Sequence, residues 1–255
     1  MQSDAMKDKL DALLRLSHEL GRPEQPFAIL AEGNASARID QHSFLVKASG
    51  ASLRALTEND IVECDSIQLL NLFDATNVAD AEVERVLLSS RKSEAMKKPS
   101  VEALFHAWLL TLTSIEFVSH AHSPATNAVL CSPRAREFAV KRLFPDEVVC
   151  CDVESVFVPY VDPGFKLAVA IRDEVTEFMK RYARPPRVIL MANHGIITLG
   201  RTADAALSAM MMAEKAATIW LGAAALGGPV FMSDESVTRI SGRPDEAHRR
   251  KMLNL

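Results

Sequence analysis

A basic excess is what this 255-residue sequence most plainly lacks: 29 Lys and Arg stand against 33 Asp and Glu, a formal net charge of -4. A nucleic-acid binder needs surplus cations to neutralise a phosphate backbone, so the balance argues against that class, while a single pocket for a small anion remains open. Cysteine is sparse: Cys64, Cys131, Cys150 and Cys151 show no C-x-x-C spacing. A thiolate zinc site or redox motif has no basis in that pattern, and free, mostly buried thiols in a reducing cytoplasm are expected. Long apolar runs are also missing. No stretch reaches the ~18 residues of a membrane span. The nearest, 203–228, contains Asp204, Glu214 and Lys215 and reads as a buried helix. The first thirty residues are charged and helix-patterned, without the basic stub and apolar core of a secretory signal. The absences together point to a cytoplasmic protein with neither membrane nor nucleic acid as partner. No repeat or low-complexity segment marks a linker, so 1–255 is expected to form one domain with a polar C-terminal tail over 233–255.

What is present is an alternation of helical and extended patterns. Met6, Leu10, Leu13, Leu16 and Leu20 recur at helical spacing, and Ser43–Lys47 and Ile61–Cys64 read as strands. Pro99-Ser100 opens a helix running to about Leu112, and Glu116–His122 is a strand candidate that ends in a Ser-Pro loop. Further on, 132–144 reads as a helix ended by Pro145, 148–158 as extended, and 165–182 as a helix. Residues 187–199 read as strand-like around an internal Asn193-His194-Gly195, and Thr202 caps the longest helix, to about Ala225. Residues 66–98 are the least readable and are expected to be a peripheral excursion ending in the basic cluster Arg91, Lys92, Lys97 and Lys98.

The chemistry-bearing residues cluster in a few short motifs. Residues two apart on a strand face the same way, so His120 and His122 in Ser119-His120-Ala121-His122 can converge on one ion; a half-exposed strand end would look the same. His194 interrupts an apolar strand pattern and supplies a third imidazole; a core histidine bonded to a carbonyl is the alternative. Three imidazoles with an open fourth position form the usual catalytic zinc arrangement, which stabilises negative charge on a bound oxygen. Glu102, in the first turn of the 99–112 helix, either favours the positive helix end or relays a proton beside such an ion. His106 lies one turn later in an apolar helix and reads as a packed residue. Two turns, 32–36 and 47–50, could cradle an anion through backbone N–H groups, with Lys47 and the Ser100 hydroxyl nearby, although ordinary glycine turns have the same spelling and neither has nucleotide-loop spacing.

Taken in order, Glu-Gly-Asn-Ala-Ser-Ala-Arg (32–38), Val-Lys-Ala-Ser-Gly (46–50), Leu-Thr-Glu-Asn-Asp-Ile-Val (56–62), Pro-Ser-Val-Glu (99–102), His-Ala-His (120–122) and Asn-His-Gly (193–195) resemble the class II aldolase/adducin family. The spelling is most similar to rhamnulose-phosphate aldolase-type domains. The resemblance implies a three-layer α/β/α fold with a mostly antiparallel central sheet, assembled as a homotetramer with sites at subunit boundaries. It implies a zinc ion, or manganese or cobalt, held by His120, His122 and His194, with Glu102 as acid/base. Gly33, Asn34, Ser49, Gly50 and Ser100 match a cradle for a substrate phosphate, and Lys47, which can help hold it, completes the substrate-binding set. One departure is Val101, which stands where several sugar-phosphate members carry a second serine. The implied reaction is retro-aldol cleavage of a sugar, sugar phosphate or related hydroxy-carbonyl compound through a metal-stabilised enediolate. The same site also serves a decarboxylase and an epimerase within the family. A non-catalytic adducin-like interaction module is the reading from another class, and retention of all three histidines argues against it.

Overall fold

The computed structural model describes residues 2–252, so Met1 and the last three residues of the expected 1–255 domain lie outside the described residues. Seven strands form one sheet: β1 (Asn34–Arg38), β2 (Ser43–Lys47), β3 (Ile61–Asp65), β4 (Phe117–Ala121), β5 (Val156–Val158), β6 (Val188–Met191) and β7 (Gly195–Gly200), in the spatial order β3-β2-β1-β4-β7-β6-β5. Every neighbouring pair is antiparallel except β5 with β6.

Period-two alternation sends residues to two separate cores. On one face Ala35, Ala37, Leu45, Phe117, Ala121 and Ile196 meet α1 (Gln2–Leu20), α7 (Pro145–Cys151) and the long α9 (Ala203–Ala225). On the other, Phe44, Val46, Val118, Ile189, Ile197 and Leu199 meet α4 (Ala103–Leu109) and α8 (Phe165–Tyr182). The result is the expected three-layer α/β/α arrangement with a mostly antiparallel sheet.

Several local expectations need correction. Pro145 does not end a helix over 132–144. A shorter helix, α6 (Ala135–Val140), stops before it, and Pro145 occupies the first turn of α7, where its missing N–H costs nothing. The apolar run 148–151, expected to be extended, is therefore helical, and only 156–158 pairs as a strand. Residues 187–199 are two strands, β6 and β7, folded into a hairpin whose turn carries His194. The 66–98 segment forms α2 (Ser66–Leu70) and α3 (Asp80–Ser89), and its Leu69, Leu72, Val83, Val86 and Leu87 build the core behind α4 rather than a periphery. Its basic cluster is dispersed: Lys92, Lys97 and Lys98 pair with Glu63, Asp60 and Glu84. The expected polar tail is helical over α10 (Asp234–Gly242) and α11 (Pro244–Met252), with Val237 and Ile240 buried.

The α6–α7–β5 corner is held by Arg142, whose side chain is 1% exposed. Its guanidinium donates to the carbonyls of Asp152, Ala139, Lys141 and Cys151 and to the Ser155 hydroxyl, 3.8 Å from the buried Glu147 carboxylate. Burial pushes the Glu147 carboxyl up, and the Arg142 charge and the Leu143 N–H act against that. Removing one member of a buried pair strands the other, so Arg142→Ala is expected to destabilise the fold by about 3–5 kcal/mol in urea or thermal unfolding.

Candidate metal and acid/base centre

The site is assembled where β1, β4 and β7 meet. Antiparallel register places Asn34 opposite His120 and Ser36 opposite Val118, while Ala121 lies opposite Ile196 at the start of β7. His120 therefore points to the α4 face together with Asn34 and Ser36, and His122, two residues on, follows it. His194 comes from the β6–β7 turn, where Asn193 adopts φ +52° and the His194 N–H donates to the Met191 carbonyl at 3.2 Å. The three rings form a near-equilateral triangle, with centroids 4.8, 5.0 and 5.2 Å apart. One nitrogen from each ring lies within 4.8 Å of the other two.

Gly195 allows this closeness. A Cβ there would stand 2.5 Å from the Ala121 carbonyl oxygen and 2.8 Å from His122 Cδ2, closer than packed atoms tolerate. Gly33 does the same below His120, with φ +67° and a notional Cβ 2.8 Å from the His120 carbonyl oxygen.

The hydrogen bonds fix the tautomers. His120 Nδ1 lies 3.0 Å from the Ile196 carbonyl, which can only accept, so the proton sits on Nδ1 and Nε2 carries a lone pair. His122 Nδ1 likewise donates to the Glu32 carboxylate at 3.1 Å. The Nε2 atoms of His120 and His122 face each other at 3.1 Å. Burial, reinforced by the neighbouring imidazoles, holds His120 down at about 4 even though Glu102 works to raise it, so the ring is neutral at neutral pH. The bare Nε2 of His120 at that distance calls for a proton or a metal cation between the two rings. Outer partners of this kind, a carbonyl and a carboxylate on the far ring nitrogens, are those that orient imidazoles toward a metal. The donor set thus fits a divalent cation.

Glu102 immediately precedes α4, and its Oε1 lies 3.6 Å from His120 Nε2 and 3.3 Å from His194 Nε2. Its Oε2 accepts from the Asn34 amide. Burial works to raise the carboxyl, but the His120 and His194 imidazoles and the Asn34 bond outweigh it, holding Glu102 well below the usual carboxylate range. The network continues in one direction: Asn34 Oδ1 accepts from His106 Nε2, and His106 Nδ1 accepts from the Ser36 hydroxyl at 2.6 Å. Full burial pushes His106 down to about 3, keeping it in the neutral form this chain requires.

His106, set aside as a packed residue, is therefore tied to the site through Asn34. Its spacing of four from Glu102 on one helix was the available signal. Glu32 was visible only as part of a turn motif.

The remaining candidates are placed unevenly. Lys47 is buried, and its Nζ donates to the carbonyls of Ala31 and Ala51 at 3.0 and 2.7 Å, tying two loops together. Burial lowers its pKa, while the charge of Glu102 opposes the shift. The Ser49 and Ser100 N–H groups are committed to the carbonyls of Lys98 and Lys47, so these residues offer hydroxyls rather than amides. The Ser100 hydroxyl itself receives the Glu102 N–H at 3.3 Å. Gly50, at φ +77°, sits exposed in the same loop, and Val101 is 38% exposed beside it in sequence order on the other. Among the described residues, no helix is long and apolar enough to cross a membrane.

Known proteins resemble this chain in sequence and in fold. The chain is 25% identical over 182 residues to YuxG of Bacillus subtilis (strain 168), an uncharacterized oxidoreductase; the match covers 68% of this chain but only 24% of that protein's length. It is 26% identical over 185 residues to the 3-oxo-tetronate 4-phosphate decarboxylase of Haemophilus influenzae, covering 71% and 74% of the two chains. Among solved structures, an L-fuculose 1-phosphate aldolase superposes with a TM-score of 0.68 at 20% identity, covering 92% of this chain and 94% of the other. The profile of the Class II Aldolase and Adducin N-terminal domain matches residues 12–221. With that match running through every strand of the sheet and all three histidines, the chain belongs to the class II aldolase and adducin family.

Proposed function

We propose that the protein is a divalent-metal-dependent aldehyde-lyase, a cytoplasmic homotetramer that cleaves a carbon–carbon bond in a sugar, sugar phosphate or related hydroxy-carbonyl compound. The observation that carries this reading is the convergence of the His120 and His122 Nε2 atoms, 3.1 Å apart, with His194 completing the triangle and an ionised Glu102 beside it. A cation bound there, zinc first and manganese or cobalt as alternatives, would withdraw electrons from the substrate's carbonyl and adjacent hydroxyl oxygens.

The chain's own groups do the rest. Glu102, anionic and held by Asn34, takes the proton of the hydroxyl on the departing carbon as the bond breaks, then returns a proton to the carbon left behind. Gly33 and Asn34 shape the floor beside the ligands. The Ser49 and Ser100 hydroxyls, with the Gly50 turn, form the candidate cradle for the far end of the substrate. Lys47 contributes positive charge from behind, because its ammonium hydrogens already go to carbonyls.

Decarboxylation is a second reading, favoured by the likeness to the Haemophilus protein of that name. It uses the same electron sink and loses carbon dioxide instead of an aldehyde. Product analysis on sugar phosphates and on carboxylated 3-oxo analogues separates the two.

Elemental analysis of the purified protein is expected to find close to one zinc, manganese or cobalt per chain, lost in the His120→Ala, His194→Ala double variant; no metal and no uptake on reconstitution would return the adducin-like module. Glu102→Gln should retain the metal and lower turnover by about 10²–10⁴-fold, and full activity would remove Glu102 from the mechanism. For Gly195→Ala, whose new Cβ collides with the Ala121 carbonyl and the His122 ring, metal titration should read binding weakened roughly tenfold or more, with both histidines still in the chain.

A further inference from the structure

His120 and His122 each have a partner for the far ring nitrogen, a carbonyl and a carboxylate. His194 differs. Its Nδ1 is buried and has no hydrogen-bond partner among the described residues. For His194 to offer Nε2 to a cation, that buried Nδ1 must carry the proton and needs an acceptor.

Among the buried acceptors left without a donor, one belongs to a residue that already touches His194. Asn127, on α5 (Pro124–Leu130), donates its Nδ2 to the His194 carbonyl at 3.0 Å, while its Oδ1 is buried without a donor. The same helix grips the turn a second time, since the Asn193 N–H donates to the Leu130 carbonyl at 3.2 Å. Its other end is fastened by Glu214 on α9. That carboxylate accepts from the Ala125 N–H at 2.9 Å, the Thr126 N–H at 2.9 Å and the Thr126 hydroxyl at 2.8 Å. Ser123 stands at the helix N-cap, where a serine ordinarily takes one of those amides, yet it makes no capping bond. Glu214 has displaced it and joins the helix that follows His122 to the longest helix of the fold.

We infer that Asn127 and Glu214 are positioning residues for the third ligand: Asn127 fixes the His194 backbone through Nδ2 and accepts from His194 Nδ1–H through Oδ1, directly or through one water, on a helix that Glu214 locks in place. The inference rests on the reading of His194 as a metal ligand.

The test uses the whole chain, stripped of metal and titrated with Co²⁺ alone against a competing chelator, with the visible spectrum of bound Co²⁺ as a second readout. Asn127→Leu and Glu214→Gln are each expected to bind Co²⁺ about 10–100-fold more weakly than wild type, with altered band shape or intensity. His194→Ala sets the loss for a missing ligand. Ser233→Ala, which removes the N-cap of α10, controls for lost stability and should leave affinity and spectrum unmoved. Wild-type affinity and spectrum in both Asn127→Leu and Glu214→Gln would overturn the positioning role while leaving the metal site intact. Failure of the wild type to take up Co²⁺ would overturn the metal reading itself, and this inference with it.

Discussion

Two imidazole nitrogens fixed 3.1 Å apart, in a pocket that keeps His120 neutral, set the constraint around which this fold is organised. The approach is held because the far nitrogen of each ring is anchored, by the Ile196 carbonyl and by Glu32, and because Gly195 and Gly33 leave room for the backbone to close in. Desolvation alone would drive the Glu102 carboxyl to its neutral form. The His120 and His194 imidazoles and the Asn34 bond reverse that. A divalent cation between the rings, flanked by the carboxylates of Glu102 and Glu32, would leave the centre close to electrical balance, the condition under which buried charges become affordable.

Much of this was legible because the decisive relations are short in sequence. The spacing of two between His120 and His122 is a statement about one strand face, and Asn193-His194-Gly195 interrupts an apolar strand pattern. Both survive translation into three dimensions. What escaped was decided by partners distant in sequence. His106 sits in an apolar helix and becomes part of the site only because β1 brings Asn34 and Ser36 against it, about seventy residues away. Glu32 reads as turn chemistry until His122 arrives ninety residues later.

Misread elements follow the same logic. Val148-Val149-Cys150-Cys151 has the β-branched, apolar texture of a buried strand, but Pro145 followed by Asp146 and Glu147 is a helix start, and burial against α9 suits either conformation. The 187–199 pattern was apolar on both sides of Asn193-His194 because β6 and β7 are covered by helices on both faces, which erases the polar alternation that would have announced a hairpin. Residues 66–98 looked peripheral because their apolar residues are diluted by exposed charges. Only the packing of α2 behind α4 reveals them as the wall that backs Glu102's helix.

Asn34 gathers these threads. The Gly33-Asn34 pair was expected to face an anion, yet its side chain is 2% exposed and turned inward, donating to Glu102 and accepting from His106. Among side chains of this size only an amide can do both. An aspartate would set a second negative charge against Glu102, and a leucine would fill the space while leaving Glu102 Oε2 and His106 Nε2 unpaired. The amide commits one carboxylate oxygen and leaves Oε1 facing His120 and His194, so Glu102 presents a single basic atom in a fixed direction. Every proton in the Ser36–His106–Asn34 chain points toward that carboxylate, and the chain passes through a deeply buried imidazole held neutral. The charge state of the acid/base is thus isolated from the protein behind it and answers chiefly to what binds in front.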